Sequence, residues 1–194
     1  MTKKRGGVIL LILIAVLIVG AFAFVAYRTP KTAEEATEVT EKDELMSKSI
    51  TVNYPSTPRD VMKLYNRYML CLYGVEGSEL KDEEVRTLGR KMREMYDEEL
   101  LEANPEESHL LSLAQEIAAF RSNEKVMIQA NICDSNEVDY IDVDGASGAL
   151  CEASYFIKKG SKEFTRTYQQ FLLRKDDSGN WKILGFVKVD GGEI

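Results

Sequence analysis

One uninterrupted apolar run constrains this chain more than any other feature. It covers residues 8–27 and contains no charged side chain. About 20 apolar residues in a helix span the roughly 30 Å of a bilayer's hydrocarbon core, and a helix satisfies its own backbone hydrogen bonds there. Lys3, Lys4 and Arg5 precede the run, and positive charge is retained on the cytoplasmic side. The sequence therefore predicts a cytoplasmic tail (1–7) and a single-pass signal anchor in the cell membrane, with the C-terminal part outside.

A cleaved signal peptide is the alternative interpretation of this run. Ala21, Phe22 and Ala23 form a small-x-small pattern of the kind that signal peptidases cut. The run continues past this pattern to Tyr27 and is longer than the apolar core of a usual signal peptide. An uncleaved anchor is therefore favoured. The first cysteine is Cys71, which is too far from the run for a lipoprotein.

The charge of the chain is concentrated beyond the apolar run. Three of the 25 basic residues and none of the 32 acidic residues precede residue 28, so residues 28–194 carry a net charge of −10. An acidic domain is repelled by phosphate backbones and by anionic lipid headgroups. The charge argues against nucleic acid as a partner and favours a solubilising role for the acidic surface.

A flexible acidic linker is predicted over residues 28–53. This segment is rich in Thr, Glu and Lys and poor in aromatic residues, so it buries too little apolar surface to offset the entropy of ordering. The Ala and Glu content of the linker predicts at most a frayed helix near residues 41–47. The folded extracytoplasmic domain is predicted to cover residues 54–190.

Three helices are predicted at the start of this domain. Thr57 is a suitable N-cap, Pro58 suits the first turn, and Asp60 completes the spacing of a capping box. Apolar residues then recur at helical spacing. The first helix ends at Gly74, and the other two are predicted over 82–103 and 106–121.

The hydrophobic period then changes from 3.6 to 2, which predicts a sheet. Short turns such as "DGASG", "KGSK" and "DDSGN" separate the strands and imply an antiparallel meander. The fold class is therefore α+β, with three helices packed on about five antiparallel strands. The predicted strands are 125–133, 138–143, 149–158, 163–174 and 180–189.

The hairpin registers predict which residues share a face of the sheet. Centring one turn on Gly160 and Ser161 and the next on Asp177 and Ser178 places alternate residues of neighbouring strands opposite each other. With these centres, one face carries the four residues of a predicted ligand pocket, and the helices cover it. A one-residue slip would exchange the faces. The pocket residues are Tyr155, Arg166, Tyr168 and Gln170; the exposed apolar residues of the other face are Phe171, Leu184 and Phe186.

Helices followed by an antiparallel meander that closes on "DDSGNWKILGFVKV" resemble the nuclear-transport-factor-2-like, or cystatin-like, α+β cone. The resemblance covers about residues 56–189. The whole chain also resembles single-pass, membrane-anchored bacterial proteins with such an outer domain. The family includes enzymes, ligand-binding pockets and non-catalytic assembly modules, so the fold alone does not select a function.

Few residues suggest catalysis or metal binding. His109 is the only histidine, and it is interpreted as a partly buried structural residue. Asp142, Asp144 and Gly145 match three positions of a calcium loop, but Tyr140 and Cys151 occupy the positions of its two essential carboxylates. A hairpin turn is therefore predicted there, and no catalytic residue, metal or cofactor is expected.

The three cysteines contain no C-x-x-C pair, so neither a zinc site nor a thioredoxin-type site is indicated. Cys133 and Cys151 lie on predicted strands and could pair in an oxidising compartment. The favoured alternative is that all three cysteines are reduced core residues.

Two functions are favoured, and a third, an enzyme, stays open although no residue supports it. The first is a non-catalytic interaction or assembly domain that binds a protein partner, or itself, through the exposed sheet face. The second is a small-ligand sensor whose pocket is the interior of the cone, with Arg166 and Gln170 beside two tyrosines.

Overall fold

The computed structural model describes residues 40–190 of the chain. Within that range, no helix is both long enough and apolar enough to cross a membrane. The predicted tail, the predicted anchor at 8–27 and residues 28–39 of the predicted linker lie outside the described residues. The membrane anchor therefore stays a prediction.

The described residues form an α+β domain in which five α helices pack against a five-stranded antiparallel sheet. Two single-turn 3-10 helices, at Glu76–Glu79 and Ser135–Glu137, complete it. The helices are α1 (Glu41–Ser47), α2 (Pro58–Tyr73), α3 (Asp82–Arg93), α4 (Glu98–Ala103) and α5 (Glu106–Ser122). The strands are β1 (Lys125–Ile132), β2 (Asp139–Val143), β3 (Ala146–Lys159), β4 (Glu163–Lys175) and β5 (Trp181–Val189).

The strand order differs from a simple meander. β4 pairs with one edge of β3, and β5 pairs with β4. β1 and β2 do not pair with each other: both pair with β3, β1 along Ala153–Lys159 and β2 along Ala146–Leu150. The long strand β3 therefore holds two short strands end to end on one edge.

The start of α2 follows the sequence prediction closely. The Thr57 hydroxyl accepts a hydrogen bond from the Asp60 backbone N–H at 3.1 Å, and Pro58 is the first helical residue. Gly74 is the C-cap, and its N–H donates to the Leu70 carbonyl. The predicted cap and the predicted stop are both present because they depend on local chemistry alone.

The folded core begins earlier than the sequence predicted. Leu45 of α1 and Ile50 both have an exposed fraction of 0% and belong to the main hydrophobic cluster. The Arg67 side chain binds Glu41 and Glu44, and the Tyr68 hydroxyl donates to the Leu45 carbonyl at 3.2 Å. Residues 41–50, expected in the linker, thus belong to the domain, because Leu45, Met46 and Ile50 pack with its core and Arg67 and Tyr68 of α2 bind this segment.

The second predicted helix, 82–103, is broken into α3 and α4. Between them, the Asp97 N–H donates to the Ile183 carbonyl at 2.8 Å, and the Ile183 N–H donates to the Met95 carbonyl at 2.8 Å. This segment forms a parallel bridge with β5. The helix is interrupted because an edge strand exposes unpaired N–H and C=O groups, and residues 95–97 satisfy them.

The β3–β4 register differs from the prediction by one residue. Lys159 pairs with Glu163, so the loop has three residues, and Gly160 takes the left-handed conformation (φ 56°). Three-residue loops of this kind centre the hairpin on a residue rather than between two. Tyr155 therefore lies opposite Thr167, and Phe156 lies opposite Arg166.

This shift exchanges the faces of β4. Phe171 and Leu173, both with an exposed fraction of 0%, point into the core. Phe171, predicted for the exposed face, instead packs edge-on against Tyr65 at a ring separation of 5.4 Å. The register follows from burying these two side chains, which a turn centre guessed from sequence does not take into account.

The buried ion pair at the β5 edge is expected to contribute strongly to stability. Arg174 binds Asp97 through two nitrogens, at 2.7 and 3.1 Å, and Asp97 also accepts from the Glu99 N–H at the start of α4. The Asp97 side chain is only 5% exposed. Asp97→Ala should lower the free energy of unfolding by about 3 kcal/mol, because it leaves Arg174 without its buried partner.

Glu99→Ala is the matched control, because Glu99 also binds Arg174 but its side chain is 65% exposed. This change should cost at most about 1 kcal/mol. Urea unfolding of residues 39–194, the unit that contains the described domain, measures both. Equal losses in the two variants would contradict the importance of the buried pair.

Candidate functional site

The four residues of the predicted pocket do not lie together. Tyr155 is buried on the helix-covered face, where its hydroxyl donates to Asn66 Oδ1 at 3.1 Å. Arg166, Tyr168 and Gln170 pair with Phe156, Ser154 and Glu152 and share the opposite face with them. The expected pocket is split between two faces because the β3–β4 register is offset by one residue.

Arg166 is exposed and needs no buried partner. Its guanidinium lies 5.6 Å from the centre of the Phe156 ring, and Phe156 stacks on Phe164 at 5.5 Å. A cation over an aromatic face is a favourable surface contact. Arg166 therefore belongs to an outer aromatic cluster of the sheet.

A cavity of about 490 Å³, lined by polar and aromatic side chains, lies on the helix-covered side of the sheet. We call it the tyrosine cleft. It lies between α2, the α3–α5 region and the middle of β4 and β5. Its lining residues are Tyr65, Met69, Tyr73, Met92, Tyr96, Leu100, Asn104, His109, Leu113, Glu116, Gln169, Gly185 and Phe186.

Helical spacing explains how the cleft is built. Tyr65, Met69 and Tyr73 are four residues apart along α2 and so share one face. His109, Leu113 and Glu116 are four and three residues apart along α5, so they also share one face. Tyr96 enters from the segment that pairs with β5. The cleft therefore depends on the break between α3 and α4 as much as on the helices themselves.

The tyrosines of the cleft have polar neighbours. Tyr65 interacts with Tyr96, and Tyr73 interacts with the carboxylate of Glu116. Burial raises the pKa of Tyr65 and Tyr73, and raises the pKa of Tyr96 to about 12. All three hydroxyls are therefore neutral near pH 7 and can donate or accept a hydrogen bond.

His109 is held neutral at the edge of the cleft. Its ring meets the Tyr96 ring edge-on, at 5.9 Å and 88°. Partial burial lowers its pKa, the positive charge of Arg93 lowers it further, and Glu116 acts in the opposite direction. The imidazole therefore presents one donor and one acceptor to the cleft rather than a charge.

The chemistry of the cleft is that of a binding site. The lining combines aromatic and aliphatic surface with two amides, three hydroxyls, an imidazole and one carboxylate. A mostly apolar cavity with a few placed polar groups is typical of small-molecule sites. Within residues 40–190, no group of three His, Cys, Asp or Glu side chains is arranged to hold a metal ion.

The calcium-like segment is a hairpin turn. The Gly145 N–H donates to Asp142 Oδ1 at 2.9 Å, and Asp144 and Gly145 take left-handed conformations at φ 53° and 83°. Such a turn joins two antiparallel strands, here β2 and β3. The prediction of a turn at this position is confirmed.

No sequence pattern indicates that the space between these helices and the sheet is an open cavity. Tyr65, Tyr96 and Leu113 are all inward-facing in the predicted helices, and His109 aligns with Leu113. Helical periodicity identifies the face that points inward but does not distinguish a filled interior from an open one. The clustering of tyrosines on inward faces is the one available clue, because a buried hydroxyl needs a partner.

The model of a family described as a domain of unknown function (DUF6715) matches residues 1–186 of the chain, which therefore belongs to that family. No curated protein matches the chain.

The neutral state of His109 can be measured directly, because the chain has a single histidine. An NMR titration of residues 39–194 should give a midpoint below the ordinary value of about 6.5. Arg93→Gln should raise the midpoint by removing a repelling charge, and Glu116→Gln should lower it by removing an attracting one. A midpoint at or above the ordinary value would contradict the geometry.

The lowered pKa also makes stability depend on pH. As the pH falls, His109 is protonated in the unfolded chain at a higher pH than in the folded domain, so its contribution to stability is complete above pH 6.5 and is lost as the pH falls through the folded midpoint.

Proposed function

We propose that this member of the DUF6715 family binds a small, uncharged, amphipathic molecule in the tyrosine cleft. In this proposal, the domain is a non-catalytic sensor or carrier outside the cell membrane. The observation that supports it best is the enclosed, aromatic cavity of about 490 Å³. Binding sites for small molecules usually occupy about 300–1,000 Å³.

The charges around the cleft favour an uncharged ligand. Glu116 is the one acidic residue among the described lining residues, and it lies close enough to Tyr73 to raise the pKa of that tyrosine. Arg93 lies close enough to depress the pKa of His109, so a positive charge and a negative charge flank the site. A ligand with a net charge would meet one attraction and one repulsion, and it would also lose its hydration.

The polar groups of the cleft can orient such a ligand. The Tyr65 and Tyr96 hydroxyls and the Gln169 and Asn104 amides supply these groups, and Asn104 Nδ2 already donates to the Leu100 carbonyl at 2.9 Å. Aromatic rings supply a large contact surface at little cost in side-chain entropy. A flat or ring-containing molecule with one or two hydrogen-bonding groups fits this arrangement.

The membrane anchor and the cone-like fold belong to the same proposal. The family match begins at residue 1 and so includes the apolar run together with the domain. Helices that precede an antiparallel sheet, with a cleft between the two layers, support the resemblance to the nuclear-transport-factor-2-like cone. In that arrangement residues 8–27 hold the domain at the outer face of the membrane, with residues 1–7 in the cytoplasm.

Assembly through the outer sheet face is a second candidate function. Leu150, Leu172, Leu184 and Val187 line a shallow apolar hollow of about 390 Å³ there, and Val187 is 59% exposed. Leu184 thus belongs to this face as the sequence predicted, whereas Phe171 does not. An apolar hollow of this kind suits a protein partner or a second copy of the chain.

Ligand binding can be tested with an uncharged aromatic probe, N-phenyl-1-naphthylamine, on residues 39–194. The fragment must include α1, because Leu45 and Ile50 are part of the core. We expect a saturable rise in probe fluorescence. Met69→Trp should abolish it by filling the cleft, whereas Leu111→Trp adds the same ring on the exposed side of α5 and should leave it unchanged.

Native mass spectrometry of the same samples separates the two candidate functions. A non-covalent added mass that Met69→Trp loses would support the cleft. An oligomer that Val187→Glu dissociates, in samples with neither probe binding nor added mass, would overturn the cleft proposal in favour of assembly. A bare monomer without saturable probe binding would argue against both.

The predicted orientation of the anchor can be tested with reporters on the full chain. Alkaline phosphatase at the C terminus should be active, because the enzyme folds with its disulfides only outside the cytoplasm. Changing Lys3, Lys4 and Arg5 to Glu should lower this activity by weakening the retention of the N terminus inside. Green fluorescent protein at the same position serves as the reciprocal control. Strong fluorescence from the unaltered chain would contradict the orientation.

A further inference from the structure

Two cysteines far apart in sequence meet at the edge of β3. Beyond the end of β1, the Cys133 N–H donates to the Glu152 carbonyl at 2.9 Å, which continues the pairing of Ile132 with Ala153. The Cys151 thiol donates to the same Glu152 carbonyl at 3.9 Å. One carbonyl group therefore binds both cysteines, Cys133 through its N–H and Cys151 through its thiol.

The chain leaves the strand geometry at this point, and this departure makes the contact possible. In a continued strand, Cys133 would share the face of its partner Glu152, opposite Cys151. Instead β1 ends at Ile132, and the Cys133 side chain packs against the hydrophobic core to which Cys151 belongs. Arg59 fixes this turn, because its Nε donates to the Cys133 carbonyl at 2.8 Å.

The two cysteines differ in their exposure to solvent. Both line a hollow of about 330 Å³ between the end of β1 and the start of β2, together with Glu152 and Gln170. Cys133 is half-buried, whereas Cys151 is only 1% exposed. A disulfide-bearing reagent is therefore expected to react first at Cys133.

We propose that Cys133 and Cys151 are a modification site that forms an intrachain disulfide by exchange with an external disulfide, such as that of a dithiol oxidase or of oxidised glutathione. The bond would tie the end of β1 to the middle of β3. This inference rests on the strand pairing and does not depend on what the tyrosine cleft binds.

The exchange balances in two steps. The Cys133 thiol loses its proton, and its sulfur attacks one sulfur of the external disulfide, whose other sulfur leaves as a thiolate. Cys151 then loses its proton, its sulfur attacks Sγ of Cys133, and the second external sulfur leaves. The two cysteines are oxidised, and the external disulfide is reduced to two thiols that take up the two protons.

The second step is expected to be slow. Burial raises the pKa of the Cys151 thiol, and the contact with Cys133 raises it further. Little thiolate is therefore present at Cys151 near neutral pH, and the thiolate is the attacking form. The mixed disulfide at Cys133 should accumulate briefly before the bond closes.

The bond would stabilise a weak part of the sheet. β1 and β2 are short and meet end to end beside β3, joined by a segment that contains one 3-10 turn. A disulfide stabilises mainly by restricting the unfolded chain. The oxidised protein should melt higher than the reduced protein by roughly 5–10 °C.

The test uses the full chain, purified under reducing conditions and then incubated with oxidised glutathione. Remaining thiols are alkylated with N-ethylmaleimide after denaturation, and intact and peptide masses are recorded. We expect the loss of two hydrogens, a peptide that joins Cys133 to Cys151, and alkylation at Cys71 alone. The melting temperature is measured on the same samples.

Two variants make the result specific. Cys71→Ala, on the buried face of α2 and outside the hollow, should still form the bond and show the rise in melting temperature. Cys133→Ser should lose both the bond and the rise in melting temperature. Because Cys133 is half-buried, the serine variant should still fold. A lasting glutathione adduct on Cys133 with Cys151 still alkylated, or alkylation of all three cysteines, would overturn the inference.

Discussion

The pairing register of β3 and β4 is the constraint on which the rest of the domain depends. These are the two longest strands, with twelve residue pairs between them, and every other strand is attached to one of them. Their three-residue loop decides that Tyr155, Phe171 and Leu173 face the helices together. Because side chains alternate between faces, the same choice places Arg166, Tyr168 and Gln170 outside. The length of this loop thus decides which alternate residues of β4 face the core and which face the solvent.

A second constraint acts at the opposite edge of the sheet. β5 would expose unpaired backbone groups if residues 95–97 continued the helix that α3 begins. Their pairing with Ile183 satisfies the backbone groups of that residue, and Asp97 joins Arg174 while capping α4. The tyrosine cleft follows from this arrangement. Tyr96 reaches Tyr65 only because the helix stops where the strand edge needs a partner.

The sequence predicted the features that depend on local chemistry. The Thr57 cap, the Gly74 stop, the third helix and all five strands were placed within a few residues, because caps, turns and hydrophobic periods are short-range signals. The features that were missed depend on contacts between distant segments. Ile50 is core only because α2 lies beneath it, and the break at 94–97 exists only because β5 is near.

The candidate site was less predictable than the fold for the same reason. A pocket combines residues from several elements. An error of one residue in the β3–β4 register therefore placed three of the four expected pocket residues on the opposite face of the sheet. Tyr155 is inside as predicted, but its hydroxyl donates to Asn66. The tyrosines of the cleft lie on helices whose inward faces were predicted, yet a face pattern contains no information about the volume between layers.

The two candidate binding surfaces meet at the same point of β5. The pairing of β4 with β5 shifts by one residue between Leu172 and Leu173, and a bulge of this kind bends a strand and re-aims its side chains. Gly185 and Phe186 consequently border both the tyrosine cleft and the outer hollow. Phe186 is 49% exposed and contacts the buried ring of Phe171 at 5.2 Å. A partner that covers the outer hollow would restrict the same two residues that form the rim of the cleft. Occupation of one surface would then change the affinity of the other, and by thermodynamic linkage the coupling would be equal in both directions.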